Sequence, residues 1–66
     1  MHEEIPTKLD LGRIYTLAGV IKGNSYHAWA IRYNDGQFYE CNDSRVKKVA
    51  RCTVKQVLMA VYTLDL

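Results

Sequence analysis

Apolar and polar residues alternate along most of this chain, and such alternation is typical of β-strands that bury one face. The first clear stretch is RIYTLAGVIKG, residues 13–23. Its two predicted faces carry Ile14, Thr16, Ala18 and Val20 on one side and Tyr15, Leu17, Gly19 and Ile21 on the other. The turn-forming residues of Gly23–Ser25 end this first predicted strand.

Residues 25–44, SYHAWAIRYNDGQFYECNDS, predict a β-hairpin. The second predicted strand is YHAWAIRY, residues 26–33, and the third is QFYECN, residues 37–42. The Asn-Asp-Gly sequence between them is a strong signal for a tight hairpin turn. SRVKKVA, residues 44–50, then predicts a short fourth strand.

The C-terminal part of the chain carries a helix-capping signal. Thr53 and Gln56 have capping-box spacing, in which the threonine accepts from the third helical amide and the glutamine reaches back. This spacing predicts one helical turn over Val54–Leu58. The alternating segment MAVYTLDL, residues 59–66, predicts a closing strand.

The first twelve residues are predicted to be an extended lead-in, because Pro6 disfavours helix at Ile5 and Gly12 ends the stretch. Residues 13–66 are expected to form a single small β-sheet domain. The predicted fold class is therefore mainly β, an antiparallel sheet of about four to five strands with one short helical turn. The lead-in and the helical turn can cover only one sheet face, so we expect something else to cover the other.

Composition agrees with a small globular domain. The chain has 66 residues, of which 48% are hydrophobic and 24% are charged, which excludes disordered and fibrous classes. The polar start MHEEIPTKLD is no secretory signal, and no apolar run reaches the length of a membrane span. We therefore expect a reducing cytoplasmic or nuclear setting without membrane association, with Cys41 and Cys52 as free thiols.

Charge makes a nucleic-acid partner an unfavoured alternative, because the net charge is only +2. A basic run either binds nucleic acid or protects a strand edge against aggregation; it consists of Arg45, Lys47, Lys48, Arg51 and Lys55. His2 beside Glu3 and Glu4 suggests a metal site only weakly, since no metal-ligand spacing recurs. We expect neither a metal nor another cofactor.

The length of the hairpin turn decides which polar side chain lies beside His27. With a two-residue loop at Asp35-Gly36, His27 becomes a diagonal neighbour of Asn42, with Cα atoms about 7–8 Å apart. With a three-residue loop over residues 34–36, His27 lies opposite Asp43 instead and Asn42 turns to the other face. The residue types alone do not choose between the two registers.

Either register sets a histidine beside a side-chain oxygen. A base is oriented in this way in a nucleophile–histidine–orienter triad, where the third group holds the imidazole tautomer. The candidate catalytic residues are therefore His27 and one of Asn42 and Asp43. The same pair at a hairpin end is also compatible with a structure that has no catalytic role.

The order of these features resembles a known family. The chain shows an apolar strand, then GNSYHAWAI, a turn, GQFYECNDSRVKKV, a capped turn and VLMAVYTL. This order is similar to the C-terminal, histidine-containing part of the catalytic domain of the ubiquitin-specific protease family, which are papain-like cysteine peptidases that remove ubiquitin. In that family the histidine commonly lies in Gly-His-Tyr-x-Ala, and a hairpin leads to Trp-Tyr-x-Phe-Asp/Asn-Asp-Ser-x-Val. The resemblance covers Tyr15–Leu64, about three quarters of the chain.

The resemblance implies a role for each matching residue. His27 would be the general base, and Ala30 matches the alanine three positions after it. Phe38-Tyr39 match the aromatic pair, and residues 43–46 match the Asp-Ser-x-Val that follows the orienting residue. Asn42 matches that orienter, so the resemblance favours the two-residue loop; an asparagine oxygen can accept from the ring N–H, as in Cys-His-Asn enzymes.

Several positions depart from the family pattern. Tyr26 replaces the usual Gly, Ala28 the usual Tyr, and Cys41 the usual Phe. HAWAI and YECND also resemble the SUMO-directed peptidases, so the resemblance implies ubiquitin or a ubiquitin-like protein as partner without choosing between them. The family's nucleophilic cysteine lies far upstream on a helix, and no segment here matches it. Cys52 before the predicted cap is a weak substitute, because no base is expected near it.

Three functional hypotheses remain open. The first is the C-terminal segment of a ubiquitin-specific-protease-like cysteine peptidase, inactive alone and dependent on a companion chain or segment for its cysteine. The second is a non-catalytic β module that binds a protein through an open sheet face. The third is a basic nucleic-acid-binding module.

Overall fold

A computed structural model describes residues 3–65, which form one antiparallel sheet of six strands and no helix. The strands are β1 (Lys8–Asp10), β2 (Ile14–Gly23), β3 (Ala28–Asn34), β4 (Gln37–Asn42), β5 (Arg45–Val49) and β6 (Val57–Leu64). The predicted mainly β, antiparallel fold class is confirmed. Because the described part of the chain has no helix, it also has none that could cross a membrane.

Strand β2 is the centre of the sheet. β1 pairs with residues 14–16 and β3 pairs with residues 19–23, while β6 pairs along almost the whole of β2. Since a strand has only two edges, β1 and β3 share one edge of β2 and β6 takes the other. β4 and β5 extend the sheet beyond β3, so its order across is β6-β2-β3-β4-β5. The strand beyond the predicted four to five is β1, which the lead-in contributes.

The helical turn predicted over Val54–Leu58 is not present. The chain instead makes a tight turn in which Val57 N donates to Val54 O at 3.3 Å, and Gln56 has a left-handed φ of 60°. The carbonyl of Gln56 accepts from Gly23 N at 2.9 Å, which aligns Val57 as the first residue of β6. Pairing with β2 therefore overrides the local capping signal, and β6 starts earlier than the predicted closing strand.

A β-bulge in β2 changes the predicted faces of that strand. Leu17 and Val20 are each only 2% exposed, although strict alternation would put them on opposite faces. The pairing with β6 shifts between Leu17 and Gly19, so that Ala18 is an extra residue. The bulge turns both apolar side chains toward one core, and the predicted alternation holds only on either side of Ala18. The buried core residues are Ile5, Leu17, Val20, Ile31 and Cys52.

Backbone hydrogen bonds hold the start of the chain over this core. Ile5 N donates to Cys52 O at 2.9 Å, and Val54 N donates to Glu3 O at 2.8 Å. The hydroxyl of Tyr62 donates to the carbonyl of Pro6 at 2.6 Å. The lead-in is thus extended, and it covers one face of the sheet as well as adding β1 to it.

The opposite face of the sheet is uncovered by the residues that the structure describes. We call it the open face; its larger apolar side chains are Ile21, Val46, Met59 and Val61, which are 39%, 70%, 59% and 44% exposed. Met59 pairs with Ile21 and the ladder continues through β3 and β4 to Val46, so these side chains point the same way. The observed burial agrees with the expectation that only one sheet face is covered.

Candidate functional site

The turn between β3 and β4 fixes the register of the hairpin. Asp35 and Gly36 have φ values of 50° and 76°, and two positive values in a two-residue loop are the mark of a type I′ turn. Asn34 pairs with Gln37, and the ladder keeps this register as far as Cys41. The structure therefore has the two-residue loop of the two alternatives considered.

This register brings His27 and Asn42 into contact. His27 immediately precedes β3 and Asn42 is the last residue of β4. The Nε2 atom of His27 lies 2.6 Å from Oδ1 of Asn42. Because an amide oxygen can only accept, Nε2 carries the hydrogen and donates it. In the neutral ring Nδ1 is then the nitrogen with the free lone pair, which is the form a general base requires.

Two neighbours hold the imidazole in place. The side-chain oxygen of Asn24 accepts from the backbone N–H of Tyr26 at 2.9 Å and of His27 at 3.0 Å. Asn24 N also donates to His27 O at 2.9 Å, which closes the loop before β3. On its other side the ring stacks on Trp29, with centroids 5.8 Å apart and planes 21° from parallel. Trp29 packs against the core, so the ring orientation is tied to the rigid part of the sheet.

Sequence reasoning did not identify Asn24 as a site residue. The available signal was the Gly-Asn-Ser turn, because an asparagine side chain commonly bonds backbone amides two or three residues ahead. As the end of a strand alone, this turn does not point to a site residue. Its contribution to the site is indirect, since Asn24 shapes the backbone that carries His27.

Asp43 lies in the next turn and makes no hydrogen bond to His27. Asp43 and Ser44 are the two residues between β4 and β5, and Asn42 pairs with Arg45 across them. Asp43 has a left-handed φ of 56°, which aspartate tolerates better than most residues. Of the two partners considered for His27, the one in contact is Asn42.

A solvent-open groove of about 520 Å³ lies beside the His27–Asn42 pair. Its lining residues are His27, Glu40, Asn42, Asp43, Ser44, Arg45 and Lys47. Glu40 and Lys47 are directly opposite each other on β4 and β5, so the groove presents acidic and basic side chains next to each other. Such a mixed polar lining suits a polypeptide segment that offers both backbone polar groups and charged side chains.

Neither cysteine is placed to act as a nucleophile with His27. Cys41 is next to Asn42 in β4, so its side chain points to the open face on the other side of the sheet. Cys52 is a core residue that is only 2% exposed. Burial raises the pKa of the Cys52 thiol, against a weaker opposite effect of the charge on Lys22. The nucleophilic thiolate is therefore disfavoured at Cys52.

No group of three or more His, Cys, Asp or Glu side chains within residues 3–65 is arranged to hold a metal ion. His2, which the weak metal hypothesis required, lies outside the described residues.

Comparison with known protein families, with curated proteins and with solved structures finds no match to this chain. The functional interpretation therefore depends on the residues and geometry of the site itself.

Proposed function

We propose that this chain supplies the general base and its orienting residue to a cysteine peptidase of the ubiquitin-specific protease type. The observation that carries the proposal is the 2.6 Å contact between Nε2 of His27 and Oδ1 of Asn42. That contact fixes the tautomer in which Nδ1 is free to accept a proton. The thiol nucleophile is contributed by another polypeptide segment, because Cys41 and Cys52 do not face the imidazole.

In the proposed reaction Nδ1 of His27 removes the proton from the incoming thiol. The thiolate attacks the carbonyl carbon of the isopeptide bond, and the protonated imidazole then gives its proton to the leaving lysine amine. His27 next takes a proton from water, which attacks the thioester and releases the carboxyl terminus of the modifier. Asn42 accepts from Nε2–H throughout and keeps the ring aimed at the sulfur.

The proposed substrate is a protein conjugated to ubiquitin or to a ubiquitin-like modifier. The modifier's extended C-terminal tail fits the chemistry of the groove beside His27, which presents both acidic and basic side chains. Tyr26, which replaces the glycine usual in the family, is 97% exposed next to the base. We propose that Tyr26 contacts the modifier tail and contributes to the choice between ubiquitin and SUMO.

The first experiment measures modifier binding. The ¹⁵N-labelled chain is titrated with unlabelled ubiquitin and, separately, with SUMO, and the amide shifts are followed by NMR. The proposal expects the shifts to cluster at His27 and along residues 42–47, and Tyr26→Gly to change the preference between the two modifiers. Absence of shifts with both modifiers at millimolar concentration would contradict the proposed partners.

A second experiment tests the division of the triad between segments. The chain is combined with a polypeptide that carries the helix-borne cysteine segment of a ubiquitin-specific protease, and the mixture is treated with ubiquitin bearing a C-terminal propargylamide. We expect labelling of a cysteine in the added polypeptide, slowed by His27→Ala. Labelling of Cys41 or Cys52 in this chain alone would refute the assignment of a separate nucleophile.

The open face supports a second candidate function, a β module that binds a protein without catalysis. Its apolar side chains are exposed and the described part of the chain does not cover them. In the same titrations, shifts at Ile21 and Met59 instead of at the groove would favour this function. Steeply salt-dependent binding of an oligonucleotide along β5 would favour the third hypothesis, nucleic-acid binding.

A further inference from the structure

The two edges of the sheet differ in their protection. The β5 edge has the sequence RVKKV, and its lysines and arginine discourage pairing with another strand. The β6 edge has the sequence VLMAVYTL, with no charged residue, no proline and no glycine. Within residues 3–65, β6 pairs only with β2, so its outer backbone groups have no strand partner.

The side chains of β6 also remain exposed on both faces. Residues 58–61 form an exposed apolar run, in which Leu58 is 64% exposed, Met59 59% and Val61 44%. A run of this length is uncommon on a folded surface unless it is an interface. Uncharged segments of this β-rich composition are those that pair readily with an identical segment.

We propose that β6 pairs antiparallel with β6 of a second copy of this chain, joining the two sheets into one continuous sheet around a twofold axis. The contact is isologous, since each copy presents the same strand to the other. Its hydrogen bonds come from the outer backbone groups of residues 59–64, because the pairing of β6 with β2 shifts register at Leu58, and its apolar contacts come from residues 58–61.

The backbone pattern of β6 limits how two copies can pair. Asp65 N donates to Ile14 O, so the backbone groups of Asp65 point toward β2. Alternation along an antiparallel strand then directs those of Tyr62 and Ala60 outward. Hydrogen-bonded pairs between copies therefore join even-numbered residues, such as Ala60 with Ala60 or with Tyr62 of the second copy.

Each such register places the twofold axis perpendicular to the sheet. Residues opposite each other in an antiparallel pair point to the same face, so odd-numbered Met59 and Val61 of both copies lie together. The open faces of the two copies then lie side by side on one face of the joined sheet. Pairing thereby packs the edges of the two exposed runs against each other and leaves the groove, which is built on β4 and β5 beyond two intervening strands, accessible.

Charge argues for a second β6 over the other edge strand. Two β5 strands paired antiparallel would bring like charges together, because three of the five residues of β5 are basic. Head-to-tail pairing of β5 with β6 lacks acidic partners on β6 and would not close into a dimer. A pair of β6 strands brings no like charges together and closes as a dimer.

Sedimentation of the full chain over a concentration series tests the proposal. The wild type is expected to reach twice the chain mass as concentration rises. Ala60→Pro removes an outward N–H without breaking a bond to β2, and Met59→Lys adds a charge to the edge; both are expected to remain monomeric. Val46→Lys is the matched control, because it adds the same charge to the same face at the opposite edge, and it is expected to dimerise like the wild type.

Circular dichroism verifies that each variant is folded. If Ala60→Pro does not fold, the oligomeric state of Met59→Lys alone tests whether β6 forms the dimer contact. A wild type that stays monomeric at millimolar concentration would overturn the proposal. So would a folded Met59→Lys that dimerises as strongly as the wild type, or a Val46→Lys control that loses the dimer equally. Assemblies that grow beyond two copies would refute the closed pair in favour of head-to-tail pairing.

Discussion

Replacing Asn42 with alanine tests whether this residue orients the proposed base. The substitution removes the acceptor that lies 2.6 Å from Nε2 of His27 and leaves the strand pairing of β4 intact. A hydrogen bond between neutral groups contributes about 0.5–1.5 kcal/mol net. At about 1.4 kcal/mol per factor of ten, its loss should lower the ratio of the Nε2–H to the Nδ1–H tautomer by roughly two- to twelvefold.

Two-bond ¹H–¹⁵N correlation spectra of the ring, recorded where the imidazole is neutral, measure this ratio directly. The wild type should show mainly the Nε2–H form, and Asn42→Ala should shift toward the other tautomer. Asn42→Asp should restore the Nε2–H form, because a carboxylate also accepts from that nitrogen. Asn34→Ala is the matched control, since Asn34 lies at the far end of the same hairpin.

An unchanged tautomer ratio in Asn42→Ala would refute the orienting role. An equal shift in Asn34→Ala would assign the effect to the stability of the hairpin and not to the hydrogen bond. Either outcome would show that the hydrogen bond between His27 and Asn42 does not orient the imidazole, and the proposed function would lose its main support.

Three further predictions concern the sheet that carries the site. Leu17→Ala should lower the free energy of unfolding, measured by urea titration, by about 2–5 kcal/mol, because Leu17 is only 2% exposed. Leu11→Ala is the control: Leu11 is 75% exposed, so its replacement should change the free energy of unfolding by less than about 0.5 kcal/mol. Gly19→Ala should cost roughly 1–3 kcal/mol, since the added Cβ would lie 2.8 Å from the backbone oxygen of Ile31; an unchanged midpoint would show that the bulge relaxes freely. Burial raises the pKa of the Cys52 thiol above its ordinary 9.0, so the unfolded chain loses this proton first and stability should fall as pH rises from about 9 through the folded pKa. Cys52→Ala should remove that part of the pH dependence, and a slope that persists unchanged would assign it to another group.

The hairpin that carries the site was predictable from sequence because its signals are local. The Asn-Asp-Gly turn limits the loop to two or three residues, and each length has a definite register. The observed pairing of Asn34 with Gln37 is one of those two. The contact between His27 and Asn42 follows from that register, so most of the candidate site was contained in twenty residues.

Features that depend on distant residues were not predictable in the same way. The bulge at Ala18 lies where β2 pairs with β6, and its one local signal is the adjacent Gly19, because a glycine inside a strand can mark a bulge. The turn at Gln56 is likewise fixed by the hydrogen bond from Gly23 N to Gln56 O, although the local spacing predicts a helical cap. In both places a strand more than thirty residues away decides the backbone conformation, and a reading of short windows omits that partner.

The position of β6 beside β2 has a consequence for the order of folding. β2 to β5 are joined by short connections, whereas the bond between Thr16 and Asp65 joins residues 49 positions apart. Closing so long a loop costs conformational entropy before any contact offsets it, and such non-local pairing slows folding. The meander β2–β5, which carries His27 and Asn42, is therefore expected to form early. The core around Leu17 is expected to stay hydrated until β6 pairs with β2. During synthesis, the edge of β2 that pairs with β6 stays unpaired until β6 has left the ribosome. We therefore expect the chain to be most prone to pairing with other chains during this interval.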